Sequence, residues 1–188
     1  LELQQVDGAY NWSPDGMTYP YRGKGVKILP LTAIFDSFPQ QVYDIEIKQH
    51  DPPLENDLCD LLRQYGIASD QVIVASFSDE TLTRFQHTCP EVATSLPVNK
   101  GTILYLLSRV GLERLLALDA VVAQLPRSFN TKLGQLELDR RYINAFAKGD
   151  RQVWVWTVND SIEMRRMLNM GAHGIITDRP GILMDFVQ

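Results

Sequence analysis

Three charged side chains alternate with two isoleucines in the segment Asp44-Ile45-Glu46-Ile47-Lys48. Successive residues of a β-strand point to opposite faces, so Asp44, Glu46 and Lys48 share one face. Burying these charges costs free energy unless they are paired or bind a metal. Glu46 could ligate a hard divalent cation while Lys48 contacts an anion beside it. The alternative is a structural Glu–Lys ion pair at a strand edge, and the residues alone leave both open.

A second candidate segment is aromatic. Trp154 and Trp156 alternate with valines and share one face at the end of a predicted strand. We expect Trp154 to lie in the core and Trp156 to wall a ligand pocket. We expect Asn159 or Asp160 to cap the helix that follows.

Two further strand ends carry polar residues. Ser76 could present a hydroxyl group, but no base accompanies it, and Ser78 has the position of a helix N-cap. The GxSxG motif is absent, which disfavours serine hydrolase chemistry. Asp178 follows the last predicted strand, and we expect it to cap the next helix rather than bind a ligand.

The chain contains three histidines, and none occupies a strong position for acid–base catalysis. His87 falls in a helical pattern, His173 comes just before a strand, and His50 is in the loop after Lys48. A hydrolase usually needs a histidine or a carboxyl group of tuned pKa to transfer protons. The sequence therefore offers no strong candidate for that role.

Six apolar, β-rich runs alternate with helical patterns along the chain. The runs cover residues 42–48, 72–77, 92–96, 120–125, 153–158 and 174–177. This alternation predicts parallel strands joined by right-handed crossovers, in an open doubly wound sheet or a TIM barrel. No glycine-rich phosphate loop follows any strand, which favours the barrel.

The predicted fold class is therefore α/β, a TIM (β/α)8-type barrel with about six of the eight strand–helix units. We treat residues 1–188 as one domain. Helical patterns cover residues 54–65, 102–116 and 139–148, with others starting at Ser78, at Asp160 or Ser161, and at Pro180. Residues 1–30 are rich in turn formers and aromatics, which predicts a long ordered loop.

Composition excludes several classes of protein. Of 188 residues, 18 are Lys or Arg and 23 are Asp or Glu, and the net charge of -5 argues against nucleic acid as a partner. No run of about 18 apolar residues predicts a transmembrane segment. Cys59 and Cys89 lack any metal-binding spacing, and we expect them to be small core residues rather than a disulfide.

Four strand-end motifs occur in an order and spacing that resemble the glycerophosphodiester phosphodiesterase family. They are IEIK at 45–48, VASF at 74–77, WTVN at 156–159 and GIITD at 174–178. The loop at 7–30, with DGAY, YPYRGKG and ILP, also resembles the segment before IEIK in this family. Each motif is weak alone, but together they extend over nearly the whole chain.

The resemblance implies a TIM barrel that hydrolyses glycerophosphodiesters to sn-glycerol 3-phosphate and an alcohol, with Mg²⁺ or Ca²⁺ as cofactor. It makes Glu46 the metal ligand, Lys48 the phosphate contact and Trp156 a wall of the substrate pocket. The family's His-Arg-Gly, Glu-x-Asp and His-Asp motifs are not present, and we expect them upstream of Leu1. No catalytic residue is therefore assigned in this chain, and residues 1–188 alone are expected to be inactive.

Other interpretations remain at this point. A lysophospholipase D of the same family could use the aromatic residues Tyr10, Trp12, Tyr19 and Tyr21 to meet an acyl chain. A shortened barrel could instead be a non-catalytic binding module, and an open α/β sheet of unrelated function is a further alternative. The expected partner is a small-molecule glycerophosphodiester in the cytoplasm. Contact with a membrane surface and the oligomeric state are left open.

Overall fold

The computed structural model describes residues 5–131 and 134–185, which fall into two compact units, Leu1–Val42 and Tyr43–Gln188. The first unit is the expected long loop followed by helix α1, Leu31–Ser37, which the sequence patterns did not predict. Asp7 organises the loop, because its carboxylate accepts hydrogen bonds from the backbone N–H groups of Ala9 and Gly23. The Arg22 guanidinium lies over the Tyr19 ring, 3.7 Å from its centroid.

The second unit contains the strands, and all six predicted strands are confirmed. Two three-stranded parallel sheets have the orders β1-β2-β3 and β4-β7-β8. A parallel bridge between Ser95 and Val122 joins β3 to β4, so the six strands follow one another in chain order. Their bounds are β1 Tyr43–Glu46, β2 Val72–Ala75, β3 Ala93–Thr94, β4 Val122–Pro126, β7 Gln152–Trp156 and β8 Gly174–Ile175.

A β-hairpin that the sequence patterns did not predict follows β4. It pairs β5, Ser128–Thr131, antiparallel to β6, Gly134–Glu137. The residues of this hairpin are mostly polar, so they lack the apolar alternation that marked the other strands.

The helices cover the outside of the strands, and their predicted starts are largely correct. Ser78 accepts a hydrogen bond from the Thr81 N–H, and Asp160 accepts from the N–H groups of Ile162 and Glu163. The bounds are α2 Glu55–Gln64, α3 Asp79–Thr88, α4 Val98–Val110, α5 Arg140–Phe146, α6 Ser161–Met170 and α7 Pro180–Met184. Within the described residues no helix is long and apolar enough to cross a membrane.

The side chains of strand β7 alternate between a buried face and a half-buried face. Val153 and Val155 are fully buried, whereas Trp154 and Trp156 share the opposite face and are half-buried. The expectation that Trp154 belongs to the core is therefore wrong. Its indole instead packs over the neighbouring strand at Gly174, where an added Cβ would lie 2.7 Å from Trp154 Cδ1. A side chain at 174 would collide with the indole, so glycine at this position permits the contact.

The two cysteines form a disulfide, which corrects the expectation of two separate core thiols. Cys59 on α2 and Cys89 at the end of α3 are both fully buried, with a Cα–Cα distance of 5.7 Å. The two cysteines are separated by 30 positions, which include β2, and the two helices that carry them pack side by side. Glu91 lies within 4.8 Å of both sulfurs, but the disulfide leaves no thiolate to bind a metal.

Candidate functional site

A cavity of about 380 Å³ opens at the carboxyl ends of the parallel strands, and we call it the site cavity. The carboxyl ends of barrel strands are where active sites of this architecture form. The structure brings all three predicted site residues to this cavity, together with residues that follow β2 and β3. Its lining includes Asp44, Glu46, Lys48, Ser76, Phe77, Gln124 and Trp156.

Glu46 and Lys48 form an ion pair within the site cavity. Lys48 Nζ donates to Glu46 Oε2 over 2.9 Å. The exposed fractions of the two side chains are 78% for Lys48 and 32% for Glu46. An ion pair this open to water contributes about 1 kcal/mol or less, so it does little to stabilise the fold. Either charged group can therefore leave the ion pair and bind a ligand at a small cost in free energy.

Asp44 lies two residues before Glu46 on the same face of β1. Its Oδ1 accepts a hydrogen bond of 2.7 Å from Gln124 Nε2 on β4. Burial raises the pKa of the Asp44 carboxyl group, the hydrogen bond from Gln124 opposes that rise, and the negative charge of Glu46 adds to it. Gln124 was not among the residues predicted for the site, although a polar side chain within an otherwise apolar strand is a signal that could have indicated it.

Aromatic side chains form one wall of the cavity. The rings of Trp156 and Phe77 meet edge to face, with centroids 5.6 Å apart. Phe77 is 61% exposed, so its ring is accessible to a ligand that enters the cavity. The wall is suited to the carbon part of a substrate whose anionic part lies near Lys48.

Ser76 also borders the cavity, but its hydroxyl group forms hydrogen bonds with backbone groups. It donates to the Ile47 carbonyl over 2.8 Å and accepts from the Ser78 N–H, and the residue is only 7% exposed. This geometry agrees with the expectation that no serine nucleophile operates here. Ser76 instead ties the end of β2 to the residue that follows Glu46.

Asp178 does not cap a helix, so that expectation is wrong. Helix α7 has Arg179 at its N-cap position and no side-chain cap. Asp178 instead accepts a 2.8 Å hydrogen bond from Asn159 Nδ2, while Asn159 Oδ1 accepts from the Asp178 N–H. These contacts hold the loops after β7 and β8 together. The cap of α6 is Asp160, one of the two residues expected.

The three histidines, all within the described residues, lie away from the site cavity. His50 Nδ1 is 3.1 Å from Thr81 Oγ1, and His173 Nδ1 accepts from the Val153 N–H. His87 is exposed in the last turn of α3. None of the three lines the cavity.

The chain is matched over residues 22–182 by the model of the glycerophosphoryl diester phosphodiesterase family. It therefore belongs to that family, as the four strand-end motifs predicted. The family is one of phosphoric diester hydrolases, so the predicted enzyme class is confirmed at this level.

Individual relatives are distant in sequence. YhdW of Bacillus subtilis (strain 168) is 25% identical over 97% of this chain and 69% of its own length. Lysophospholipase D GDPD1 of Mus musculus is 23% identical over 88% of this chain and 58% of its own length. The chain thus spans 69% of the length of the first relative and 58% of the length of the second.

Solved structures confirm the fold class. The glycerophosphoryl diester phosphodiesterase domain of Rv2277c from Mycobacterium tuberculosis has a TM-score of 0.79 at 16% identity, over 100% of this chain and 74% of that one. A phosphodiesterase of Oleispira antarctica, solved with the product sn-glycerol-3-phosphate, has a TM-score of 0.65 at 16% identity. The match covers 100% of this chain and 70% of the Oleispira chain, and at these identities both show the fold alone.

Proposed function

We propose that this chain contributes the Glu46–Lys48–Trp156 part of an active site that hydrolyses glycerophosphodiesters to sn-glycerol 3-phosphate and an alcohol. The observation that carries the proposal is that these three side chains line one cavity at the strand ends of a chain belonging to this family. The carboxylate of Glu46 suits a cation, the ammonium group of Lys48 suits a phosphate, and the indole of Trp156 suits the carbon skeleton of the substrate.

We assign the cation to Glu46, with Mg²⁺ or Ca²⁺ as the ion. Carboxylate oxygens are the ligands that hard cations take, and Glu46 and Asp44 both line the site cavity. Such ions accept at least six oxygen ligands, so substrate, water or other residues must complete the set. The cation supplies positive charge to the phosphoryl group.

Lys48 has the properties of a phosphate contact. Its ammonium group is a compact charge on a flexible stem, and 78% of the side chain is exposed to the solvent of the cavity mouth. It can turn from Glu46 toward a bound phosphate and stabilise the negative charge that grows there as the ester bond breaks. Trp156 and Phe77 then contact the carbon atoms of the substrate.

Replacing Lys48 tests this role. In the complete protein that contains this chain, Lys48→Met should lower kcat/KM for glycerophosphocholine by about 100-fold, the order of loss that follows removal of one donor to the charge of a transition state. The matched control is Lys100→Met, because Lys100 pairs at 3.4 Å with the exposed Asp119 and lies outside the site cavity. Equal activity of the two variants would contradict the role given to Lys48.

We also propose that residues 1–188 alone do not turn over a phosphodiester. Glu46 and Lys48 can bind and polarise a phosphodiester, but none of the three histidines, all of them in the described part of the chain, lines the cavity to protonate the departing alkoxide. An assay of the 188-residue polypeptide with glycerophosphocholine and excess Mg²⁺ or Ca²⁺ should give no more product than buffer. Measurable turnover that survives purification to constant specific activity would contradict this statement.

A second candidate function is lysophospholipase D activity on lysolipids. It is favoured by the name of the Mus musculus relative and by the exposed aromatic residues of the first unit, among them Trp12 and Tyr21 with centroids 5.1 Å apart. Comparing kcat/KM for glycerophosphocholine with that for a lysophosphatidylcholine separates the two functions. A preference of more than tenfold for either substrate decides between them.

A further inference from the structure

A second cavity of about 160 Å³ lies beside the site cavity, and we call it the apolar cavity. It is bounded by the start of α4, the end of β4, and residues of β5, α5 and β7. The apolar side chains that line it include Leu125, Pro126 and Phe129. It contains no charged side chain, unlike its neighbour, where Asp44, Glu46 and Lys48 are all in the lining.

Three polar side chains that line the apolar cavity already have hydrogen-bond partners. Tyr142 Oη donates to the Gly101 carbonyl over 2.8 Å, and burial raises the pKa of this phenol, which keeps it neutral. Thr102 Oγ1 donates to the Val98 carbonyl, and Gln124 Nε2 donates to Asp44. A polar ligand would have to compete with these bonds, whereas an apolar ligand would not. The cavity therefore favours an apolar group.

The two cavities share a wall. Phe77, Leu96, Val98, Gln124 and Trp156 line both of them. A molecule whose phosphate lies near Lys48 can therefore pass an attached group along the Trp156 and Phe77 rings into the apolar cavity.

We propose that the apolar cavity is a specificity subsite that takes an apolar substituent of the phosphodiester substrate. This inference rests on the proposed function, because it uses the site cavity as the place of the phosphate. The substituent is either the alcohol that leaves or an acyl chain on the glycerol, since both present the same hydrocarbon chemistry.

The volume sets the size of the group. An apolar protein cavity of about 150 Å³ holds one benzene molecule. A volume of about 160 Å³ therefore takes one ring or about six carbon atoms of a chain. Carbon atoms beyond that number must leave the cavity, so affinity should rise with chain length up to about six carbons and then level off.

Binding of two simple esters to the complete protein that contains this chain tests the proposal without requiring turnover. Titration calorimetry with methyl phosphate and hexyl phosphate should give at least tenfold tighter binding of the hexyl ester. Thr102→Phe places a ring at the edge of the apolar cavity from an exposed position of α4, so it should remove that difference. Thr102→Leu is the second variant, in case the larger ring disturbs the helix.

The matched control is Ile103→Phe, which adds a phenylalanine one residue further along α4. Ile103 is 45% exposed and does not line either cavity, so both affinities should stay as in the wild type. Equal affinities of the two esters, no binding of hexyl phosphate, or equal effects of the Thr102→Phe and Ile103→Phe variants would overturn the proposal.

Turnover on the same samples separates this inference from the proposed function and identifies the source of the hydrocarbon. The hexyl ester of glycerophosphate carries it on the alcohol side, and 1-hexanoyl-glycerophosphocholine carries it on the glycerol side. The substrate whose KM rises at least tenfold in Thr102→Phe is the one that uses the cavity. Hydrolysis of glycerophosphocholine with unchanged KM for both hexyl compounds would overturn the subsite while the proposed function stands.

Discussion

Replacing Glu46 by Gln in the complete protein should lower its affinity for Mg²⁺ or Ca²⁺ by about 100-fold and lower kcat/KM for glycerophosphocholine at least as much. Gln keeps the shape of the side chain but removes the negative charge, and affinity for hard cations depends strongly on the number of charged ligands. The fold should survive, because Glu46 is one third exposed and its ion pair with Lys48 is weak. Calorimetric metal titration and turnover check the two effects.

Glu137→Gln is the control for this change. Glu137 is 68% exposed on β6 and its carboxylate lies 3.7 Å from Arg166, outside the site cavity. The Glu137→Gln substitution removes the same charge from the same chain, so it controls for a long-range electrostatic effect on metal affinity. Metal affinity that is unchanged in Glu46→Gln, or reduced equally in both variants, would refute the assignment of Glu46 as the ligand.

Replacing Arg84 by Met should lower the free energy of unfolding by more than the loss of an ion pair with two exposed partners, because it leaves a nearly buried carboxylate without its partner. Only 4% of the Glu55 side chain is exposed, and Arg84 contacts its Oε1 through Nε at 2.8 Å and through a terminal nitrogen at 2.7 Å. Arg84 also donates to the carbonyl of His50, in the loop that leaves β1 after Lys48. Urea unfolding measures the loss.

Two further variants make the prediction for Arg84 specific. Arg63→Met removes an arginine whose partner, Glu91, is 43% exposed, so it should cost much less stability than Arg84→Met. The double replacement Arg84→Met with Glu55→Met should recover most of the lost stability, since apolar residues of similar volume often replace a buried ion pair without loss. A single Arg84→Met variant as stable as Arg63→Met would contradict the account of this pair.

The sequence predicts features that depend on neighbouring residues. The strands are runs of Val and Ile long enough to be recognised alone, and the caps at Ser78 and Asp160 depend on one side chain and the next turn. The shared face of Glu46 and Lys48 follows from strand alternation in the same way. The presence of Trp156 in the same cavity was expected from its strand end and the family resemblance.

Features that depend on distant residues could not be predicted. The Gln124–Asp44 hydrogen bond joins residues 80 positions apart on different strands. The Cys59–Cys89 disulfide requires the packing of α2 against α3, which no spacing rule reveals. Asp178 comes just before a helix, as a cap does, but Asn159 on another loop donates to its carboxylate and accepts from its backbone N–H. In each case a tertiary contact outweighs the local preference.

The most direct test of the proposed function is the turnover of glycerophosphocholine by the complete protein that contains this chain, with and without a chelator, and with both products identified. We predict sn-glycerol 3-phosphate and choline in equal amounts, and loss of the reaction when EDTA removes the divalent cation. Turnover that EDTA leaves unchanged, release of glycerol and phosphocholine instead, or no turnover with Mg²⁺ or Ca²⁺ would contradict the function assigned to the Glu46–Lys48–Trp156 cavity.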